Sequence, residues 1–101
     1  LPLSLPPADT QSAWHLYVIR LAKGAPVDRR TLYDGMRNAG VGVNVHYIPI
    51  HLQPYYRSLG FKPGDFPAAE AFYESALSIP IYPGLTEAMQ ETVANALRKL
   101  L

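Results

Sequence analysis

Pro49 and Pro54 stand inside a run of apolar and aromatic residues, 46–56 (HYIPIHLQPYY), and neither a regular strand nor a regular helix passes through both. A strand reaching His46 must end at Pro49. A helix can begin at Pro54, where the missing N–H costs nothing. The run therefore predicts a proline-controlled turn carrying two imidazoles, three phenols and an amide within eleven residues. These groups stack on or hydrogen-bond a polar ligand, and none is a nucleophile with its base in sequence reach. The segment reads as one wall of a site whose reactive part lies elsewhere.

Strand and helix signals alternate on both sides of this turn. Residues 12–21 (SAWHLYVIRL) are rich in aromatic and β-branched side chains and predict a strand that stops at Lys23 and Gly24. Both of its faces are largely apolar, so at least one should meet helices. Asp28 is placed to cap a helix with Leu32, Tyr33, Met36 and Ala39 on one face and Gly40 at its end, and Gly35 weakens that helix only slightly. Residues 41–48 predict a second strand, in which Gly42 marks a bulge or a close backbone approach. A short helix from Pro54 should stop at Gly60. Pro67 suits the first turn of a further helix, with Ala69, Phe72, Tyr73 and Ala76 on its apolar face and Glu70 and Glu74 toward water. Residues 77–82 predict a third strand, assigned to a sheet edge because of Pro80. Thr86 can cap a closing helix whose apolar stripe is Met89, Val93, Ala96, Leu97 and Leu100, with Glu87 and the pair Arg98, Lys99 matching the dipole at its two ends. The order implies an α/β (α+β) domain, a small sheet covered by helices.

A chain of 101 residues with 49% hydrophobic and 17% charged residues suits one domain with a modest core. Nine basic and eight acidic residues, scattered without runs, leave no footprint for nucleic acid or an anionic membrane. The absence of cysteine excludes disulfides and thiolate metal sites and suits a reducing compartment, so the cytoplasm is the expected location. No apolar run approaches the ~20 residues that span a bilayer. Residues 1–11, with three prolines among the first seven, predict a linker from a preceding domain, and 12–101 the domain proper. His46 and His51, five apart with no carboxylate or thiolate nearby, do not match a zinc site. Ser58, Ser75 and Ser78 lack the glycine-rich elbow of a hydrolase nucleophile.

Three separated segments, 12–20 (SAWHLYVIR), 46–56 (HYIPIHLQPYY) and 77–83 (LSIPIYP), resemble in order and spacing the C-terminal small domain of the DegT/DnrJ/EryC1/StrS sugar aminotransferases. Residues 66–70 and 86–101 resemble the family's last two helices. Within the family, residues 46–61 look most like the transaminases of pseudaminic acid biosynthesis, which aminate a UDP-linked 4-keto-6-deoxy-N-acetylhexosamine. The resemblance implies a small, mostly antiparallel sheet covered by helices, as the C-terminal domain of a fold-type I enzyme. It also implies a homodimer using pyridoxal phosphate, with glutamate as amino donor.

The family's Schiff-base lysine and its pyridinium-pairing aspartate belong to the large domain. Lys23, Lys62 and Lys99 stand in no comparable context, so this chain alone is expected to hold no cofactor, supply no catalytic residue and be inactive. What the resemblance leaves to it is substrate enclosure, with His46, Tyr47, His51 and Gln53 as contacts to a nucleotide sugar. Each has a structural alternative: His46 or Tyr47 as packed core groups on opposite faces of a strand, Gln53 as a helix cap. Tyr55 and Tyr56 suit packing, His15 a hydrogen-bonded place within its strand, and Arg20 a rim ion pair. A second reading is a free-standing binding or assembly module derived from such a domain. Without its large domain and second subunit the chain should expose apolar surface and self-associate.

Overall fold

The computed structural model describes residues 7–101; the first six residues of the expected linker lie outside the described part. Residues 7–10 form a turn, with the Thr10 N–H and hydroxyl both donating to the Pro7 carbonyl. The elements that follow are β1 (Tyr17–Arg20), α1 (Arg29–Asn38), a 3-10 turn (Ile50–Leu52), α2 (Pro54–Ser58), α3 (Pro67–Ser75), β2 (Ala76–Ile79) and α4 (Glu87–Leu100). β1 pairs antiparallel with β2, Val18 opposite Ser78. On the other side of β2, Asn44 and Ser78 exchange both backbone hydrogen bonds, at 3.0 and 2.8 Å. The sheet is small and antiparallel, as the resemblance implies.

All three strands are shorter than the sequence pattern suggests. The first spans only Tyr17–Arg20; upstream of it Trp14 takes φ 49°, outside the extended region, with its N–H held by the Ser12 hydroxyl. Residues 41–48 make a single bridge instead of a strand. In the register of Asn44 with Ser78, the next hydrogen-bonding positions on β2 are Pro80, which has no N–H, and Ala76, whose N–H already caps α3 on the Phe72 carbonyl. The ladder is blocked on both sides. β2 has β1 on one side and only the single bridge to Asn44 on the other, and Pro80 follows its last residue, where it stops that bridge from extending.

The core forms where α1 and α4 lie over this sheet. Ile19, Leu32, Met36, Val41, Val43, Leu77, Val93 and Ala96 make one buried cluster. α1 starts at Asp28, whose carboxylate accepts from the Thr31 N–H at 2.7 Å and is held below the usual carboxylate range chiefly by that bond. α4 starts at Thr86, whose hydroxyl oxygen accepts from the Met89 N–H. Gly35 is more than a weak point in α1: a Cβ there would lie 2.6 Å from Leu100 Cδ2, so the glycine lets the end of α4 approach. Met89 departs from the expected stripe; it is 47% exposed, and its sulfur accepts from the Tyr82 hydroxyl.

α3 has the expected boundaries and a different environment. None of its residues is buried, and Phe72 is left exposed under the Arg20 guanidinium, 5.3 Å from the ring centroid. Arg20 therefore has a ring and the Ser75 hydroxyl as partners, not the rim carboxylate expected. Glu70, expected in water, is turned inward and bonded.

Candidate functional site

The turn predicted between Pro49 and Pro54 is present, built around a buried histidine. Pro49 is buried and the 3-10 turn follows it directly. His51 is 6% exposed, and its Nε2–H donates to Glu70 Oε1 at 2.8 Å. The same carboxylate accepts the Gly64 N–H on both oxygens, at 2.8 and 3.1 Å. These two donors, the imidazole first, hold the Glu70 carboxyl below its usual range. Phe66 packs on the imidazole with ring centroids 4.9 Å apart, and Phe61 and Tyr56 extend the aromatic contacts outward.

His46 and Tyr47 do not alternate across a strand, because the strand has already ended. Their rings meet edge to face at 4.8 Å. Tyr47 is 75% exposed. Gln53 is exposed as well, and its side chain makes no cap bond to α2; only its carbonyl accepts the Arg57 N–H. Tyr55 is largely exposed rather than packed.

Below His46 lies an open cavity of about 300 Å³, lined by His15, Asn44, His46, Ser78 and the chain around Gly42 and Pro80. Among the described residues, the buried side-chain polar atoms without a hydrogen-bond partner are His46 Nδ1 and Ser78 Oγ, and both residues line this cavity. An unpaired buried polar atom costs about 1–3 kcal/mol, so two on residues lining one cavity single it out as a candidate polar site.

The four residues read from sequence are thus divided. Tyr47 and Gln53 are exposed and His46 lines the cavity with its Nδ1 buried and unpartnered, whereas His51 has Nε2 committed to Glu70 beneath the turn. Sequence reasoning missed Ser78, although a lone hydroxyl inside the apolar stretch 76–81 was a usable signal. It also missed Glu70, which is 19 residues from His51 and gives no local sign of the pairing. His15 lies before β1, is exposed and lines the cavity, so it is not the hydrogen-bonded strand histidine expected.

An α+β domain of this topology, with a ligand-ready turn at one end of a short antiparallel sheet, matches known proteins over nearly its whole length. Residues 1–98 match the DegT/DnrJ/EryC1/StrS aminotransferase family, and the chain belongs to that family. It is 42% identical over 97 residues to the erythromycin biosynthesis sensory transduction protein EryC1 of Saccharopolyspora erythraea, covering 94% of this chain and 25% of that protein. It is 36% identical over 96 residues to the spore coat polysaccharide biosynthesis protein SpsC of Bacillus subtilis, covering 92% and 25%. Among solved structures, DesV of S. venezuelae in complex with a ketimine intermediate superposes with a TM-score of 0.83 at 32% identity, covering 96% of this chain and 25% of that one. The chain spans about a quarter of the length of the relatives it matches.

Proposed function

We propose that this chain is the C-terminal small domain of a cytoplasmic, pyridoxal-phosphate-dependent nucleotide-sugar aminotransferase, and that residues 46–53 enclose the sugar nucleotide. The observation that carries the reading is the cavity lined by His46 and Ser78, each of which holds a buried, unpartnered polar atom, in a chain segment that also exposes Tyr47 and Gln53. Hydroxyl, phenol, amide and neutral imidazole are the donors and acceptors that fix sugar hydroxyls or diphosphate oxygens, each net bond contributing about 0.5–1.5 kcal/mol. Family membership and the structural likeness to DesV support the aminotransferase class.

The cavity does not fit the cofactor itself. Its lining has no lysine to form a Schiff base and no carboxylate to pair with a pyridinium nitrogen; Lys23, Lys62 and Lys99 are all exposed away from it. In this reading the cofactor is held by a large domain and by the second subunit of a homodimer, and the 101-residue chain by itself is inactive. The substrate we assign is a UDP-linked 4-keto-6-deoxy-N-acetylhexosamine, with glutamate as donor, following the likeness of residues 46–61 to pseudaminic acid transaminases.

The test uses the protein in its longest native form. It should show a cofactor absorbance band and transfer the amino group of glutamate to UDP-4-keto-6-deoxy-N-acetylhexosamine. The 101-residue chain should do neither. A long form without cofactor, or one that aminates no nucleotide sugar, overturns the reading and leaves a binding or assembly role.

A further inference from the structure

We infer that Glu70 is a positioning residue: through His51 it fixes the 46–53 turn in the form that meets the sugar nucleotide. This inference rests on the function proposed above. The turn carries exposed groups at both ends, Tyr47 on one side and Gln53 on the other, and its one buried polar anchor is His51 between them. His51 is held by a single carboxylate. Its side chain is 7% exposed and that of Glu70 19%, so the pair is not an exposed contact of the kind that contributes little.

The carboxylate serves two segments at once. Glu70 Oε1 receives the imidazole N–H and the Gly64 N–H, and Oε2 receives the latter again, which joins the 46–53 turn to the loop before α3. Gly64 can offer its N–H there because it adopts φ 94°. Phe66 closes over the imidazole from the same loop. No residue of α3 is itself buried, so packing of that helix does not duplicate what the carboxylate does.

Pro49 and Pro54 make one anchor sufficient. Pro49 inside the turn and Pro54 directly after it each remove a backbone rotation on either side of His51, so fixing His51 limits how the flanking residues can move. A turn held before ligand arrives binds more tightly than one that must be ordered by binding. Glu70 touches neither the His46 cavity nor the exposed groups, and acts only through His51.

The experiment compares Glu70→Ala and Glu70→Gln in the longest native form, with hydrogen exchange followed over residues 46–66. Loss of the carboxylate should raise KM for the sugar nucleotide about tenfold, while kcat and KM for glutamate stay within about twofold. Glu70→Gln keeps a carbonyl acceptor for the imidazole and should recover most of the loss. Amides of 46–53 should exchange faster in Glu70→Ala, and those of α1 and α4 should not change. An unchanged sugar KM in a folded Glu70→Ala protein overturns the inference, as does an equal rise in both KM values, which marks general damage. If the parent protein has no aminotransferase activity, the functional reading fails. The exchange arm then decides the clasp: faster exchange confined to 46–66 sustains it, and unchanged exchange removes it.

Discussion

Replacing Gly35 with alanine should have opposite effects depending on residue 100. A Cβ built on Gly35 lies 2.6 and 2.9 Å from the two terminal carbons of Leu100 and 3.3 Å from its Cγ. Apolar carbons pack at about 3.5–4.0 Å, so the overlap approaches 1 Å and the leucine must turn away or the helices must separate. Alanine in a helix interior gains about 1 kcal/mol over glycine, whereas overpacking of this kind costs about 1–3 kcal/mol. Gly35→Ala alone should therefore be neutral to about 2 kcal/mol destabilising. In a Leu100→Ala background the obstructing atoms are gone, and the same substitution should stabilise by about 0.5–1 kcal/mol. The two sites should couple by at least ~1 kcal/mol in a double-mutant cycle read by urea unfolding with unchanged m-values. An equal stabilisation by Gly35→Ala in both backgrounds would refute the close approach of α4 to α1.

Leu77→Ala removes a side chain that is 1% exposed at the centre of the sheet and should cost about 2–5 kcal/mol, whereas Ile50→Ala, 68% exposed, should stay within about 0.5 kcal/mol by the same unfolding assay. Glu70 is held below its ordinary value of 4.5 in the folded state by the His51 imidazole and the Gly64 N–H. Between the two pKa values the unfolded chain binds more protons, so the stability from this group is present above 4.5 and is lost as pH falls through the folded value. Glu70→Gln should flatten that part of the acid unfolding curve, and an unaltered curve would mean that the carboxylate is not engaged. Trp14, Leu16, Tyr47, Ile48, Ile50, Phe61 and Phe72 are all exposed, so the isolated chain should self-associate in sedimentation runs at rising concentration; a monomer throughout would count against an uncovered docking surface.

What could be read from the sequence was local. Asp28 and Thr86 set helix starts through cap bonds made within one turn, the prolines at 54 and 67 through their fixed φ and missing N–H, and the structure has all four where the sequence puts them. Strand extent was not legible, because it depends on which backbone groups of a distant partner are free. Nothing near residues 41–48 reveals that Ala76 spends its N–H on Phe72 or that Pro80 faces the next pairing position. The site divides in the same way. The hydrogen-bonding groups of His46, Tyr47 and Gln53 stand in one short run. The engagement of His51 by Glu70, and the meeting of Ser78 with His46 in one cavity, arise only when segments 19 or more residues apart are folded together. Glu70 looked solvent-directed because helical periodicity describes a helix against its own core, and α3 has no core face of its own.

If residues 46–53 enclose the sugar nucleotide, His46 bears on one half-reaction and not the other, and the two can be measured separately in the longest native form and its His46→Ala variant. The account predicts that glutamate loading proceeds at the parent rate, while the half-reaction with UDP-4-keto-6-deoxy-N-acetylhexosamine weakens about tenfold or more in kcat/KM. Equal rates for parent and variant in the sugar half-reaction would contradict it.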